Sequence, residues 1–224
     1  MPTLAVVTAG LSTPSSTRQI ADQIASAVQA AVTTRGEGLE VQVIEVSELT
    51  NDLAKVMTTG IPSPALDRAK EQLSAADGLV VVTPIFKASY SGLFKMFFDA
   101  LDDDAINAMP TIIAATAGTA RHSLALEFAV RPLLVYMHAD VVPTSLFAAT
   151  EDFGNSEGAG FTRRVGRAAA ELAERMLGGS GAVGGLGGVT AEGQSGARRR
   201  NSGVSPDTEV TPFTEMLRGL DGRG

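Results

Sequence analysis

Apolar residues follow two alternating rhythms over the first 177 positions. Leu4 to Val7, GLVVVT at 78–83 and PTIIAAT at 110–116 are short apolar runs closed by turn residues, which predicts buried strands. LEVQVIEV at 39–46 alternates, as a half-buried strand near a sheet edge does. ADVVPTSLFAA at 139–149 supplies a fifth strand. Between these runs the spacing becomes helical. Ile20, Ile24, Ala27, Val28 and Ala31 share a face within 17–34, and Leu66, Ala69, Leu73 and Ala76 within 62–76. A helix is expected at 92–101. Residues 121–138 are nearly all apolar, and Pro132 inside them predicts a kink. Phe161, Val165, Ala168, Leu172 and Met176 stripe a last helix.

Five strands separated by helices predict an α/β fold with a doubly wound parallel sheet, because crossover helices cover both faces of the central strands. The flavodoxin-like order 2-1-3-4-5 suits five strands. A sixth strand would have to follow Leu177, where 13 of the 24 glycines begin. Residues 1–177 are therefore expected to form one domain and 178–210 a flexible Gly-rich linker, since such a segment buries too little side chain to offset ordering its backbone. At 211–220, TPFTEMLRGL spaces Phe213, Leu217 and Leu220 helically, which leaves open a short docking helix or an unstructured tail.

In this order the first, third and fourth strands are neighbours, and ligands bind beyond their carboxyl ends. The loops there are the unusual ones. TAGLSTPSSTR carries Ser12, Thr13, Ser15, Ser16 and Thr17 ahead of Arg18, where a helix exposes unpaired N–H groups suited to a phosphate. Ordinary helix capping accounts for such hydroxyls equally well. The loop is neither GxxxxGK[ST] nor GxGxxG. After the third strand, Pro84, Phe86 and Tyr90 offer aromatic surface, and Ser89, Ser91 and Gly92 a tight helix entry. After the fourth, TAGTARH at 116–122 lets a flat ring approach the backbone around Gly118, or else is a plain turn. A phosphate at the first loop and a planar ring over the others outline FMN.

Composition narrows the chemistry. No cysteine is present, so electron transfer has to come from a cofactor. A net charge of −7 argues against nucleic acid or an anionic membrane as partner. The start lacks a basic segment before an apolar run, and no apolar stretch reaches membrane-spanning length, so a cytoplasmic protein is expected. With no GxSxG and only His122 and His138, neither a hydrolase nor a metal site is supported, and His122 suits a local backbone contact better than a proton donor.

TPIFKASYSGLFKMFFDAL resembles the P-x-Y-K-x-x-Y-S-G-x-L-K segment of the NAD(P)H-dependent FMN reductases. TAGTARHSLALEFAVRPLL resembles their G-G-T-x-A-H-x-L-A-x-x-x-A-L-R-P-x-L segment, and the loop ending SSTR is similar to their phosphate loop. The resemblance spans about residues 3–175. It implies a flavodoxin-like homodimer or homotetramer that reduces FMN with NADPH or NADH and hands FMNH2 to a flavin-dependent monooxygenase. It also implies a phosphate loop of Ser12, Ser15, Ser16, Thr17 and Arg18, and a middle loop of Pro84, Ile85, Phe86 and Lys87. The ring-edge loop becomes Thr116, Ala117, Gly118, Thr119, Ala120 and Arg121. Phe86 stands where tyrosine is common and Ala117 where glycine is. Hydride passing from nicotinamide C4 to flavin N5 asks for no protein nucleophile or base. The backbone N–H groups of Gly118 and Thr119 are the candidates for holding charge at the flavin edge. A flavodoxin-like electron carrier and an FMN-containing quinone or azo reductase are the competing readings. Arg198, Arg199 and Arg200 form either a solvated charge run or a contact for the extra phosphate of NADPH.

Overall fold

The computed structural model describes residues 1–149, 156–178 and 200–204. Strand β1 (Thr3–Thr8) leads into helix α1 (Ser16–Thr33), β2 (Glu40–Glu45), α2 (Thr50–Thr59) and α3 (Pro64–Ser74). Then come β3 (Gly78–Phe86), β4 (Ser89–Tyr90), α4 (Gly92–Asp99), β5 (Pro110–Ala117), α5 (Arg131–Tyr136), β6 (Asp140–Val141), β7 (Leu146–Ala149) and α6 (Ser156–Gly178). The parallel sheet runs β2-β1-β3-β5, with β6 and β7 both paired along β5. This is the expected doubly wound flavodoxin-like order, with two differences in strand count.

The fifth strand is divided. β6 pairs with the start of β5 (Thr111 opposite Val141) and β7 with its end (Ala114 opposite Leu146). Pro143 lies between them and has no N–H for the ladder. The interruption is fastened from both sides: Arg131 Nη1 donates to the Val142 carbonyl (3.2 Å), and Thr144 Oγ1 and N–H bond the Glu171 carboxylate (2.7 and 3.0 Å). The other addition, β4, folds back antiparallel on the end of β3.

Strand alternation divides the core. Leu4, Val6, Val80, Val82, Ile112 and Ala114 face α1 and α6, meeting Ile24, Val28, Val165 and Leu172. Ala5, Val7, Leu79, Val81 and Ile113 face the other layer, which presents Leu53, Leu66, Leu73, Phe94 and Phe97. Each fully buried Leu, Val or Phe contributes about 1.5–3 kcal/mol. β2 is the polar edge, with Glu40 exposed, which discourages edge pairing with another chain. Ser15, Ser63 and Ser91 cap α1, α3 and α4 by accepting from Arg18, Leu66 and Phe94 N–H groups.

Two helical regions depart from the sequence-based expectation. Helix α2 was not anticipated, and its only buried residue is Leu53, too sparse a stripe to show periodicity. The stretch 121–138 is not one kinked helix. It opens with a 3-10 turn (Ala120–His122) and a π-helical turn (Leu126–Val130) before α5. Pro132 has no N–H to return to the carbonyl four residues back, and just before it Arg131 N–H reaches five residues back to Leu126. Glu127 holds Arg131 through two contacts (2.6 and 3.2 Å), and that bond keeps the Glu127 carboxyl below its ordinary range against the opposing effect of burial.

The β3–β4 hairpin turns on Lys87 and Ala88, both at positive φ (51° and 68°), the requirement of a tight two-residue turn. A side chain at left-handed φ costs about 1–2 kcal/mol. Ala88→Gly is therefore expected to stabilise the protein by about 1 kcal/mol, and Ala88→Val to destabilise it by at least as much, in denaturant titrations. Equal midpoints for all three proteins would contradict the strain.

Candidate active-site cleft

Because β1, β3 and β5 are adjacent, the segments following them meet at one edge of the sheet. They enclose a cleft of about 280 Å³, open on one side. It is lined by Ser12, Ser16 and Thr17 from the first loop and the start of α1, and by Pro84, Ile85 and Phe86 from the end of the neighbouring strand β3. Thr116, Ala117 and Gly118 form the floor and far end. Leu11 and Ala148 also line it, and neither was expected from sequence. Ala148 is the penultimate residue of β7, and its small side chain carries no chemical signal to read.

The two ends differ in character. At the first, α1 begins with no acidic side chain in its opening turn, so its partial positive charge is not countered there. Hydroxyls of Ser12, Ser16 and Thr17 stand beside it. Thr17 Oγ1 lies 2.9 Å from Thr116 Oγ1, both residues almost fully buried, so a hydrogen bond joins the first loop to the last. At the other end, Phe86 is 48% exposed beside Pro84 and Ile85, a flat apolar surface. Past the end of the adjacent strand β5, a Cβ added to Gly118 would meet no atom within 4 Å, so there is open space beside the backbone. Donors that suit a phosphate and a slot that suits a planar ring thus occupy one cleft, as FMN requires.

The other expected site residues lie around it. Ser15 and Arg18 line a neighbouring depression of about 440 Å³ on the β2 side of the loop. Ser15 Oγ accepts from Arg18 N–H (3.2 Å) as the helix cap. The Arg18 guanidinium is held by Asp22 (2.7 Å) and by a short contact to Glu45. These hydrogen bonds, Asp22 first, raise its pKa above the ordinary arginine value. Lys87 sits at the hairpin tip and is exposed. Thr119, Ala120 and Arg121 follow the cleft floor in the 3-10 turn and its cap, where Thr119 Oγ1 accepts from Arg121 N–H (3.4 Å). Tyr90 does not line the cleft; its ring packs tilted against Phe94 (5.7 Å between centroids) at the border of the core. Among the described residues no cluster of three or more His, Asp or Glu could hold a metal ion.

Gly10 sets the shape of the first loop. A Cβ there would lie 2.0 Å from Ser15 Oγ and 3.2 Å from Thr17 Cβ. Gly10→Ala is expected to drive Ser15 off the cap and cost about 1–2 kcal/mol in a denaturant titration. Ser15→Gly in the same chain should absorb most of that cost. Additive losses would contradict the contact.

The family of NADPH-dependent FMN reductases matches residues 2–154. Over 148 residues the chain is 32% identical to the NADH-dependent FMN reductase SfnF of Pseudomonas putida, covering 66% of this chain and 77% of that one. It is 33% identical over 129 residues to an FMN reductase (NADPH) of Pseudomonas aeruginosa, covering 57% and 69%. An oxidoreductase structure from Corynebacterium diphtheriae superposes with a TM-score of 0.78 at 65% identity, covering 80% of this chain and 98% of that one. The apo form of an NADH:FMN oxidoreductase superposes at 0.65 with 26% identity, covering 75% and 89%. With the cleft at the expected sheet edge and both quoted motifs inside the matched span, this chain belongs to the NADPH-dependent FMN reductase family.

Proposed function

We propose that the protein reduces FMN with a nicotinamide donor in the cleft between the three loops. The observation that carries this reading is the pairing, in one cleft, of a hydroxyl-rich helix start with a flat apolar slot. Ser12, Ser16 and Thr17, with the N–H groups opening α1, hold the phosphate. Pro84, Ile85 and Phe86 and the Thr116–Gly118 backbone would flank the ring, and the Gly118 N–H would serve the charge at its edge. FMN and the donor supply the chemistry, a hydride moving from nicotinamide to flavin. The chain's share is to align the rings within about 3–3.5 Å and keep water from between them. It supplies no acid or base.

Ser15 caps the loop that carries these donors. Arg18, tied to Asp22 and Glu45, braces it from the β2 side. Lys87, Thr119, Ala120 and Arg121 stand outside the cleft wall and act on larger ligands, the nicotinamide donor included. The names of the relatives include both NADH and NADPH, so the donor has to be assayed. A cytoplasmic setting and a flavin-dependent monooxygenase that consumes FMNH2 complete the reading.

Ser16→Ala is expected to weaken FMN about tenfold and riboflavin hardly at all, since a hydrogen bond to a charged group contributes about 1.5–3 kcal/mol and only FMN carries the phosphate. Fluorescence titration with both flavins checks this, and equal losses would contradict it. Purified protein should oxidise NADH or NADPH rapidly when free FMN is supplied. FMN binding without oxidation of either donor would favour the electron-carrier reading, and faster turnover with a quinone or azo dye the other.

A homodimer is also part of the proposal. Leu124, Phe128, Val135 and Tyr136 are all more than half exposed around the π turn and α5, a large apolar area for a surface in water. Phe128→Arg is expected to shift a light-scattering mass from dimer to monomer. A monomeric parent protein would reject this interface.

A further inference from the structure

Residues 200–204 touch the body at the ends of the strands opposite the cleft. There Arg200 Nε donates to the Asn107 carbonyl (3.2 Å), and Nη1 makes a short hydrogen bond to the Ala76 carbonyl. Ala76 lies just before β3 and Asn107 just before β5, so one forked guanidinium joins the segments that enter two adjacent central strands. Burial pulls the Arg200 pKa below its ordinary value, and nearby Asp77, itself accepting from Thr3 N–H (2.8 Å), opposes that shift.

The four residues after Arg200 fit this place. Asn201 Oδ1 accepts from Gly203 N–H (2.9 Å) and Ser202 Oγ from Val204 N–H (3.3 Å), so RNSGV folds on itself into a compact turn. Gly203 has φ 68°, and a Cβ on it would lie 3.3 Å from Asp102 Cβ and 3.4 Å from Lys70 Nζ. Only glycine meets both conditions without strain.

We propose that the paired Ala76 and Asn107 carbonyls form a guanidinium-binding site, and that RNSGV is its ligand within the same chain. The extension thereby clasps the sheet from below. This assignment does not rest on the reductase reading. It also opposes a role for Arg200 in reading the extra phosphate of NADPH, because the cleft lies at the other ends of the same strands.

Arg200→Ala in the full chain tests the clasp. It is expected to lower Tm by about 3–8 °C, as loss of two charge-assisted hydrogen bonds does in a protein of this size. Amide hydrogen exchange at Asp77 and Ala108 should accelerate at least tenfold. Arg200→Lys, which keeps the charge but not the fork, should recover part of the Tm, and it carries the test should the alanine variant fail to fold. KM for NADH and for NADPH should stay as in the parent. Unchanged Tm and exchange would overturn the proposal, and so would a rise in KM for NADPH alone. A Tm loss that varies with protein concentration would mean that a second copy supplies the arginine, and would overturn the within-chain contact.

Discussion

The parallel pairing of β1, β3 and β5 is the constraint on which the rest depends. Leu4 through Thr8 pairs with Gly78 through Val82, and Leu79 through Pro84 with Thr111 through Thr116. Parallel neighbours end at the same edge, so three segments far apart in sequence are delivered to one place. The packing on both faces holds that register, since slipping a strand by one residue would exchange its two buried faces. Each loop can then be specialised without carrying the fold.

The Thr17–Thr116 hydrogen bond shows how that arrangement becomes a binding site. It joins residues 99 apart in sequence, one at the start of α1 and one near the end of β5, inside the cleft itself. A buried hydroxyl pair is favourable because each partner would otherwise lose its hydrogen bond with water. The first and last of the three cleft-lining segments are thereby held in a fixed relation. Gly10 does similar work by leaving room for Ser15 to cap α1.

Much of this was legible in the sequence, for physical reasons. Buried parallel strands are uniformly apolar, so GLVVVT and PTIIAAT stood out, and three of the hydroxyls clustered around the start of α1 line the cleft. What escaped notice lacks such signals. Helix α2 buries only Leu53. Pro132 announced a kink, but sequence does not say that a π turn accommodates it, and 139–149 read as one strand although it is divided around Pro143. Ala148 and Leu11 enter the cleft by placement and not by chemistry. The Arg18 guanidinium meets Asp22 and also Glu45, and the second contact, 27 residues on, has no signal in sequence spacing. Arg200 belonged to a segment that reads as solvated, and only folding brings two main-chain carbonyls to meet it.

The central claim is that one cleft receives both ends of FMN. The most direct measurement is FMN titration, by quenching of flavin fluorescence, of the parent protein and of Ser16→Asp and Gly118→Trp. The first places a negative charge at the phosphate end, and the second fills the open space at the ring end without touching the core. The account predicts tight binding by the parent and at least a hundredfold loss in each variant, with the folded state retained. FMN binding that survives either substitution would place the flavin elsewhere and contradict the account.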